Sequence, residues 1–287
     1  MPVRDLDPLK TAALLLALLP QRPHEFLDRA AGYADLALER LSSPVSPGET
    51  VEWGDAVRSL EDNPGRAAGI LAEPALEDVE EDTRRLLRGI RASDAFSQRW
   101  AADSLFARLC YLACRLKTPD TVIETGVAYG VSSAFILKAL RQNGRGTLHS
   151  VDLPPLRREY ERFWGVAVPD GLRDRWTLHR GASRRLLPRL LSRTGPVGLF
   201  VHDSLHTRRN MRREFDAVWP HLSPGGLILA DDVERNRAFA DLLGKNPSLW
   251  RVVRDREKNP LHGKAAPVVF GIAKKQVTGY RRQGRLS

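Results

Sequence analysis

Cysteine is nearly missing from this 287-residue chain, and so is any long apolar run. The two cysteines, Cys110 and Cys114, stand four apart in a segment that reads as helix, so they would share one face. Neither a CxxC spacing nor a nearby histidine accompanies them, which excludes a thiolate metal centre and a disulfide-built secreted scaffold. They read as small buried apolar residues. The longest apolar stretch, TAALLLALL from Thr11 to Leu19, lies between Pro8 and Pro20. It is far shorter than the ~20 residues a membrane-spanning helix needs. A signal peptide begins basic, whereas here Asp5 and Asp7 outnumber Arg4, and no small-residue cleavage site follows. A packed N-terminal helix, no membrane partner and a cytoplasmic location are the expectations. Lysine is scarce too: eight of the 45 basic residues, the rest being arginine, in a chain of net charge +10. The arginine pairs 157–158, 184–185, 208–209 and 212–213 fall at helical spacing on amphipathic stretches. They read as solvated helix faces and not as a nucleic-acid footprint, so nucleic acid is not an expected partner.

What the chain does have is length and an ordinary globular balance, with 42% hydrophobic and 28% charged residues. That suffices for one large α/β domain and a smaller accessory region. From Leu9 to about Ser93 the apolar spacing is helical, broken most clearly at SSPVSPGET from Ser42 to Thr50. Ala75–Ile90 and Phe96–Leu116 follow as amphipathic helices. After Pro119 short apolar runs suited to buried parallel strands alternate with helical patterns. The strands are expected at Thr121–Glu124, Thr147–Val151, Trp176–His179, Val197–His202, Gly226–Ala230, Trp250–Arg254 and Val268–Ala273. Helices are expected at Ser132–Gln142, Arg184–Leu191 and Arg208–Trp219. The last two strands are joined across EKNPLHGKAAP without a helical pattern, so they should pair antiparallel.

The strongest local signal is the run Glu124-Thr125-Gly126-Val127-Ala128-Tyr129-Gly130-Val131-Ser132 between a strand and a helix. Glycines there allow a tight turn and close approach to a ligand, while the helix start offers N–H donors and the Ser132 hydroxyl another. The pattern is ExGxxxGxS and not GxGxxG, which disfavours a dinucleotide oxidoreductase. The next strand ends in Asp152, 22 residues after Gly130, where a carboxylate either accepts from ribose hydroxyls or caps a loop. The third runs into Gly181-Ala182-Ser183. Small residues leave room for a flat base, and Ser183 either bonds its edge or caps the following helix. Ligands in such sheets bind at the carboxyl ends of strands.

In that order, ETGVAYGVSSA, SVDL, WTLHRGAS, LFVHDSLH and GGLILADDV resemble the class I S-adenosylmethionine-dependent methyltransferases. Among them the chain is most similar to the catechol O-methyltransferase type and its bacterial small-molecule relatives, over roughly Phe96 to Lys275. The resemblance implies an α/β, Rossmann-like, seven-stranded, mostly parallel sheet ending in an antiparallel pair. It divides the chain into an N-terminal helical region (1–95), a methyltransferase domain (96–277) and a basic, disordered tail (278–287). It implies S-adenosyl-L-methionine as cofactor, with Glu124, Gly126, Ala128, Gly130 and Ser132 at its methionine end. Asp152 falls on the ribose, Ala182 and Ser183 beside the adenine, and Asp203 at the reacting edge. Ala128 stands where many class I enzymes have a middle glycine, and Asp152 replaces a glutamate frequent in this subgroup. The first 95 residues match no part of the catechol-type enzymes and are expected to cover the acceptor side or form a homodimer or higher homo-oligomer contact.

Asp203 ends the fourth strand, and Asp231 and Asp232 end the fifth. Neighbouring parallel strands would bring the three carboxylates together, where they repel unless a proton or cation intervenes. Oxygen ligands favour Mg²⁺ or another hard divalent cation. The matching positions of the catechol-type enzymes bind Mg²⁺, although Asp232 replaces an asparagine; otherwise Asp231 and Asp232 cap a loop and contact the acceptor. His206 stands where the catechol type carries a lysine base, and can accept a proton near neutral pH. A structural hydrogen bond or a metal contact remains open for it. The expected reaction is methyl transfer to a hydroxyl of a small-molecule acceptor such as a catechol, vicinal-diol sugar or natural product. The alternatives are metal-independent transfer to nitrogen, carbon or oxygen, or a non-catalytic cofactor-binding protein. No NPPY-like base-methylation motif is present. The loop Pro154–Gly171 carries Tyr160, Phe163 and Trp164, which either line an acceptor pocket or pack as a lid or helix face.

Overall fold

The computed structural model describes residues 8–40, 48–90, 101–256 and 267–277. Among them six α-helices precede the first strand: α1 (Pro8–Leu16), α2 (Pro23–Glu39), α3 (Trp53–Leu60), α4 (Arg66–Leu71), α5 (Pro74–Arg88) and α6 (Ser104–Lys117). Alternation then begins with β1 (Thr121–Thr125), α7 (Val131–Asn143), β2 (Thr147–Asp152) and β3 (Trp176–Arg180). It continues through α8 (Ser183–Thr194), β4 (Val197–His202), α9 (Arg208–Val218), β5 (Leu222–Asp231) and α10 (Ala238–Leu243), and ends with β6 (Leu249–Arg256) and β7 (Pro267–Lys274).

The seven strands run in the order β3-β2-β1-β4-β5-β7-β6. The first five are parallel, and β7 lies antiparallel to both β5 and β6. Strand order reverses between β1 and β4, so the crevice at a doubly wound sheet's switch point opens above their carboxyl ends. β1, TVIET, is buried at every position because helices cover both sheet faces. One face packs Phe106, Leu109 and Leu112 of α6 with Phe135 and Ile136 of α7. The other packs Leu187 and Leu190 of α8, Met211 and Phe215 of α9, and Phe239 of α10. Cys110 and Cys114 are free and fully buried on the α6 face.

The N-terminal helices divide into two kinds. α3, α4 and α5 put Val57, Ile70, Leu76 and Val79 into the same core as α6 and α7. Val51 extends this contact, its N–H and carbonyl bonding Val252 and Arg254 across the edge of β6. By contrast α2 buries charge: Glu25, Asp28, Arg29 and Asp35 are its enclosed residues. The packed helix expected at Thr11–Leu19 is corrected. The helix ends at Leu16, that residue is 59% exposed and Leu19 is 42% exposed. Three consecutive leucines wrap around a helix and cannot share one face. The division expected at residue 95, the start of the helix expected at Phe96, and the tail from residue 278 lie outside the described residues.

Candidate active site at the carboxyl edge of the sheet

The β1–α7 loop owes its shape to two glycines in the left-handed region, Gly126 (φ 86°) and Gly130 (φ 86°). A Cβ on Gly126 would run into the backbone carbonyl of Asp203, so the loop lies directly against the end of β4. Ala128 adopts φ 47° without a glycine's freedom. Asp152 organises this loop. Its Oδ2 accepts from the Val127 and Ala128 amides, both at 3.1 Å, and from Trp164 Nε1 at 2.9 Å, while Oδ1 accepts from the Leu153 amide at 2.8 Å. Burial raises its pKa and these donors oppose the rise. Glu124 lies under the loop, fully buried, accepting from the hydroxyls of Ser132, Ser133 and Ser150, each at 2.6 Å. Burial lifts its pKa to about 7 against those hydrogen bonds. Ser132 is therefore turned inward to Glu124 and not outward to a ligand, because a buried carboxylate captures the nearest hydroxyls.

Ser183 opens α8 and neither caps it, a position held by Ala182, nor faces outward. Its hydroxyl donates to Glu214, a residue on α9 that the sequence reading missed. Glu214 is fully buried and also accepts from Thr125 Oγ1 (2.6 Å), His202 Nδ1 (2.6 Å), Ser204 Oγ (2.9 Å) and Asn210 Nδ2 (2.9 Å). Burial opposes its ionisation, but His202 and the hydroxyl donors outweigh it and take the pKa down to about 2. A signal for Glu214 existed: it lies on the stripe Asn210, Met211, Glu214, Phe215, Val218 that α9 buries. A carboxylate on a helix's buried face needs partners.

At the ends of β4 and β5 the situation reverses. Asp203, His206 and Asp231 present ligand atoms within 4.8 Å of one another. His206 Nε2 lies 3.6 Å from Asp203 Oδ1. Asp231 has the amide of Asp232. Burial and the neighbouring carboxylates raise both pKa values, that of Asp203 to about 8. Asp103, just before α6, adds its charge to those facing Asp231 and was also missed. Asp232 does not join this group as expected. It sits at φ 54° past the strand end, its Oδ2 paired with Arg235 at 2.7 Å and 3.3 Å from His206 Nδ1. That last approach lacks hydrogen-bond alignment, and His206 Nδ1 is buried without a hydrogen-bond partner. Burial holds the His206 pKa below its ordinary value, with Asp232 pulling the other way. His202, inside β4, packs edge-on against Phe215.

Helix α2 crosses this edge. Asp28 accepts from the Ala182 amide (3.4 Å) and pairs with Arg184 and Arg185. Glu25 and Glu161 hold Arg180, whose guanidinium lies 5.9 Å over the Trp164 ring. Arg29 donates to the Pro154 carbonyl at 2.6 Å, and Asp35 pairs with Arg209 at 3.3 Å. Of the arginine pairs expected to be solvated, Arg184 and Arg185 on α8 and Arg209 and Arg213 on α9 pair with Asp28 or Asp35 of α2, whereas Arg208 and Arg212 pair with Asp241 and Asp216 away from it. Of the three loop aromatics, Tyr160 and Phe163 pack on the core and Trp164 serves Asp152.

With this geometry in view, known proteins supply the comparison. A family model described as a methyltransferase domain matches residues 123–233, the stretch from β1 to the end of β5 and its acidic turn. The O-methyltransferase TomG of Streptomyces achromogenes, involved in tomaymycin synthesis and solved with S-adenosylmethionine, has the same fold. It aligns at a TM-score of 0.50 and 17% identity over 71% of this chain and 90% of its own. An O-methyltransferase from Klebsiella pneumoniae aligns at 0.49 and 18% over 78% and 95%. One from Bacillus cereus, solved with S-adenosylhomocysteine, aligns at 0.48 and 14% over 77% and 98%. No curated protein matches the chain. Gly126, Asp152, Asp203 and Asp231 lie at the carboxyl ends of β1, β2, β4 and β5, the edge where a doubly wound sheet opens its crevice.

Proposed function

We propose that the chain is an S-adenosylmethionine-dependent methyltransferase acting on a hydroxyl of a small-molecule acceptor, assisted by a divalent cation. The observation that carries this reading is the group Asp203, His206 and Asp231, drawn together within 4.8 Å beside the loop that Asp152 holds. Two enclosed carboxylates with few donors of their own fit a hard cation, which offsets their repulsion and uses their oxygens. Asp203 and Asp231 are assigned to that cation, with Asp232 joining them on release from Arg235. Such an ion supplies Lewis acidity to an acceptor hydroxyl, and the sulfonium cofactor supplies the electrophilic methyl group.

The protein's own contribution is placement and proton management. Gly126 and Gly130 let the backbone approach the methionine end, Asp152 serves the ribose, and the backbone at Ala182 and Ser183 borders the base. The Val127, Ala128 and Ala182 amides, bonded to Asp152 and Asp28 here, are the donors a ligand would compete for. His206, whose burial favours the neutral ring, takes the acceptor's proton. α2 serves as the cover over the base and acceptor side.

A second reading of His206 has its own observation. One of its ring nitrogens lies within the 4.8 Å group, which makes it a third ligand and the donor set mixed, favouring Mn²⁺ or Zn²⁺ over Mg²⁺. The test strips metal with EDTA, screens catechols, vicinal-diol sugars and hydroxylated polyketides as acceptors, and restores Mg²⁺ or Mn²⁺. Turnover should return with the ion. Full activity in EDTA removes the cation and favours a metal-free reaction, with an amine acceptor as the better candidate. Cation affinity that collapses in His206→Ala makes His206 a ligand; retained affinity with lost turnover makes it the base.

A further inference from the structure

Glu214 touches none of the groups assigned above to cofactor chemistry or the cation except Ser183, yet its five donors surround the switch point. Thr125 is the last residue of β1 and immediately precedes Gly126. Ser183 opens α8 at the base-side corner. His202 and Ser204 flank Asp203 on either side. Asn210 closes the set from α9 itself, and its Nδ2 also reaches Ser204 Oγ at 3.1 Å and the Leu205 carbonyl at 3.1 Å. A carboxylate has about four lone-pair directions, so five donors saturate it. Burying an ionised carboxylate costs several kcal/mol unless it is this well supplied. The supply comes from four separate elements, β1, α8, the end of β4 and α9, of which only β1 and β4 are also paired in the sheet.

We propose that Glu214 is the positioning residue that holds the cofactor side and the reaction side of the site in register. This rests on the methyltransferase reading above. One oxygen, Oε1, holds Ser183, Ser204 and Asn210; the other, Oε2, holds Thr125 and His202. Each oxygen therefore spans β4 and an element of the cofactor side. Asp203, fixed through both neighbours, has its own carboxylate free for the crevice. The main chain reinforces the same joint: the Asp203 amide donates to the Thr125 carbonyl at 2.8 Å. A shift of Glu214 would move Ser183 and Asp203 together. Removal of one arm would loosen one side only, which separates this role from plain support of the fold.

The experiment compares Glu214→Gln, Glu214→Asp, Ser183→Ala and Ser204→Ala in the full chain at a temperature where circular dichroism shows each folded. S-adenosylhomocysteine affinity is measured by calorimetry, turnover on the acceptor found by the screen, and amide exchange by mass spectrometry. Glu214→Gln keeps the volume but turns an NH₂ toward donors. It should weaken cofactor-product affinity at least tenfold, lower kcat at least tenfold, and speed exchange in 125–127, 182–184 and 203–207 together. Ser183→Ala should act chiefly on affinity and Ser204→Ala chiefly on kcat, each by about threefold or more. Glu214→Asp should recover part of both. If Glu214→Gln lowers Tm while affinity and kcat stay within twofold of the parent, Glu214 is a fold anchor only and the proposal is overturned, with the function intact. Should Glu214→Gln not fold, the two serine variants decide: losses in Tm alone, with no split between affinity and kcat, overturn it equally. A parent chain that binds no S-adenosylhomocysteine overturns the functional reading and this one with it.

Discussion

Two sets of partly or wholly buried carboxylates share one sheet edge and differ in their partners. Glu124, Asp152 and Glu214 accept from three, four and five protein donors, drawn from serine and threonine hydroxyls, amides, an indole, an imidazole and a carboxamide. Asp203 and Asp231, at the ends of β4 and β5, have a histidine at 3.6 Å and one backbone amide between them. Folding alone completes Glu124 and Glu214 and gives Asp152 four donors of its own. The second gains only when something charged or protonated arrives, since burial and mutual repulsion hold both above the usual carboxylate range. On the proposed function, the contrast separates Glu124 and Glu214, which shape the site, from Asp203 and Asp231, which await an occupant.

The largest expected effect tests the shaping half at its tightest point. Gly126→Ala forces a side chain into the left-handed region and into the Asp203 carbonyl, so the β1–α7 loop cannot keep its place against β4. Loss of measurable S-adenosylhomocysteine binding and a Tm drop of several degrees are expected. A variant that binds as the parent does would mean the loop is not the cofactor's seat.

Acid provides the next. Glu214 titrates near 2 in the folded protein against an ordinary 4.5, so its folded pKa is depressed. The stability it contributes is full above about pH 4.5 and lost as pH falls toward 2, on the order of 3 kcal/mol by linkage. Urea unfolding of the parent from pH 5 to 2.5 should show this slope, and Glu214→Gln should lack that share of it. Equal slopes would contradict the donor count.

A matched pair of isosteric changes sharpens the contrast further. Glu124→Gln leaves a hydroxyl donor facing an NH₂ group and should destabilise by about 1–3 kcal/mol. Asp231→Asn removes a repelled charge without stranding a donor side chain, so in metal-free buffer its Tm should stay level or rise. Its turnover should nevertheless fall at least a hundredfold if Asp231 holds a cation. Parallel Tm losses would erase the distinction between the two sets. Smallest of all, Ala128→Gly relieves φ 47° but loosens the unfolded chain, and the two should leave a net change within about 1 kcal/mol by thermal unfolding.

How legible this was in sequence depended on whether a feature is local. β4 spans Val197–His202 as expected, since its apolar run is bounded on both sides. β5 begins at Leu222 and not Gly226, because Leu222 pairs with Val197 and a register shift carries the pairing past Pro224 and Gly225. The α/β alternation and the antiparallel end of the sheet follow from short periodic runs. What escaped were contacts set by the turns of the chain. Asp232 reads as the equal of Asp231, but a left-handed turn sends it to Arg235. Ser132 and Ser183 read as ligand groups because nothing local reveals the carboxylates beneath them. The acidic residues of α2 find their partners only when Arg180, Arg184 and Arg185 arrive from more than 150 positions away. Glu214 was readable in principle, as a charge on an otherwise buried stripe.

On the proposed function, the first set completes a cofactor seat and the second waits for a cation. One calorimetric series tests it: S-adenosylhomocysteine titrated into the EDTA-treated chain, then Mg²⁺ or Mn²⁺ titrated into the resulting complex. Binding of S-adenosylhomocysteine without metal is expected, followed by saturable uptake of one divalent ion that disappears in Asp203→Asn and Asp231→Asn. Absence of the first binding event contradicts the seat, and an unchanged second event in both variants contradicts the cation site.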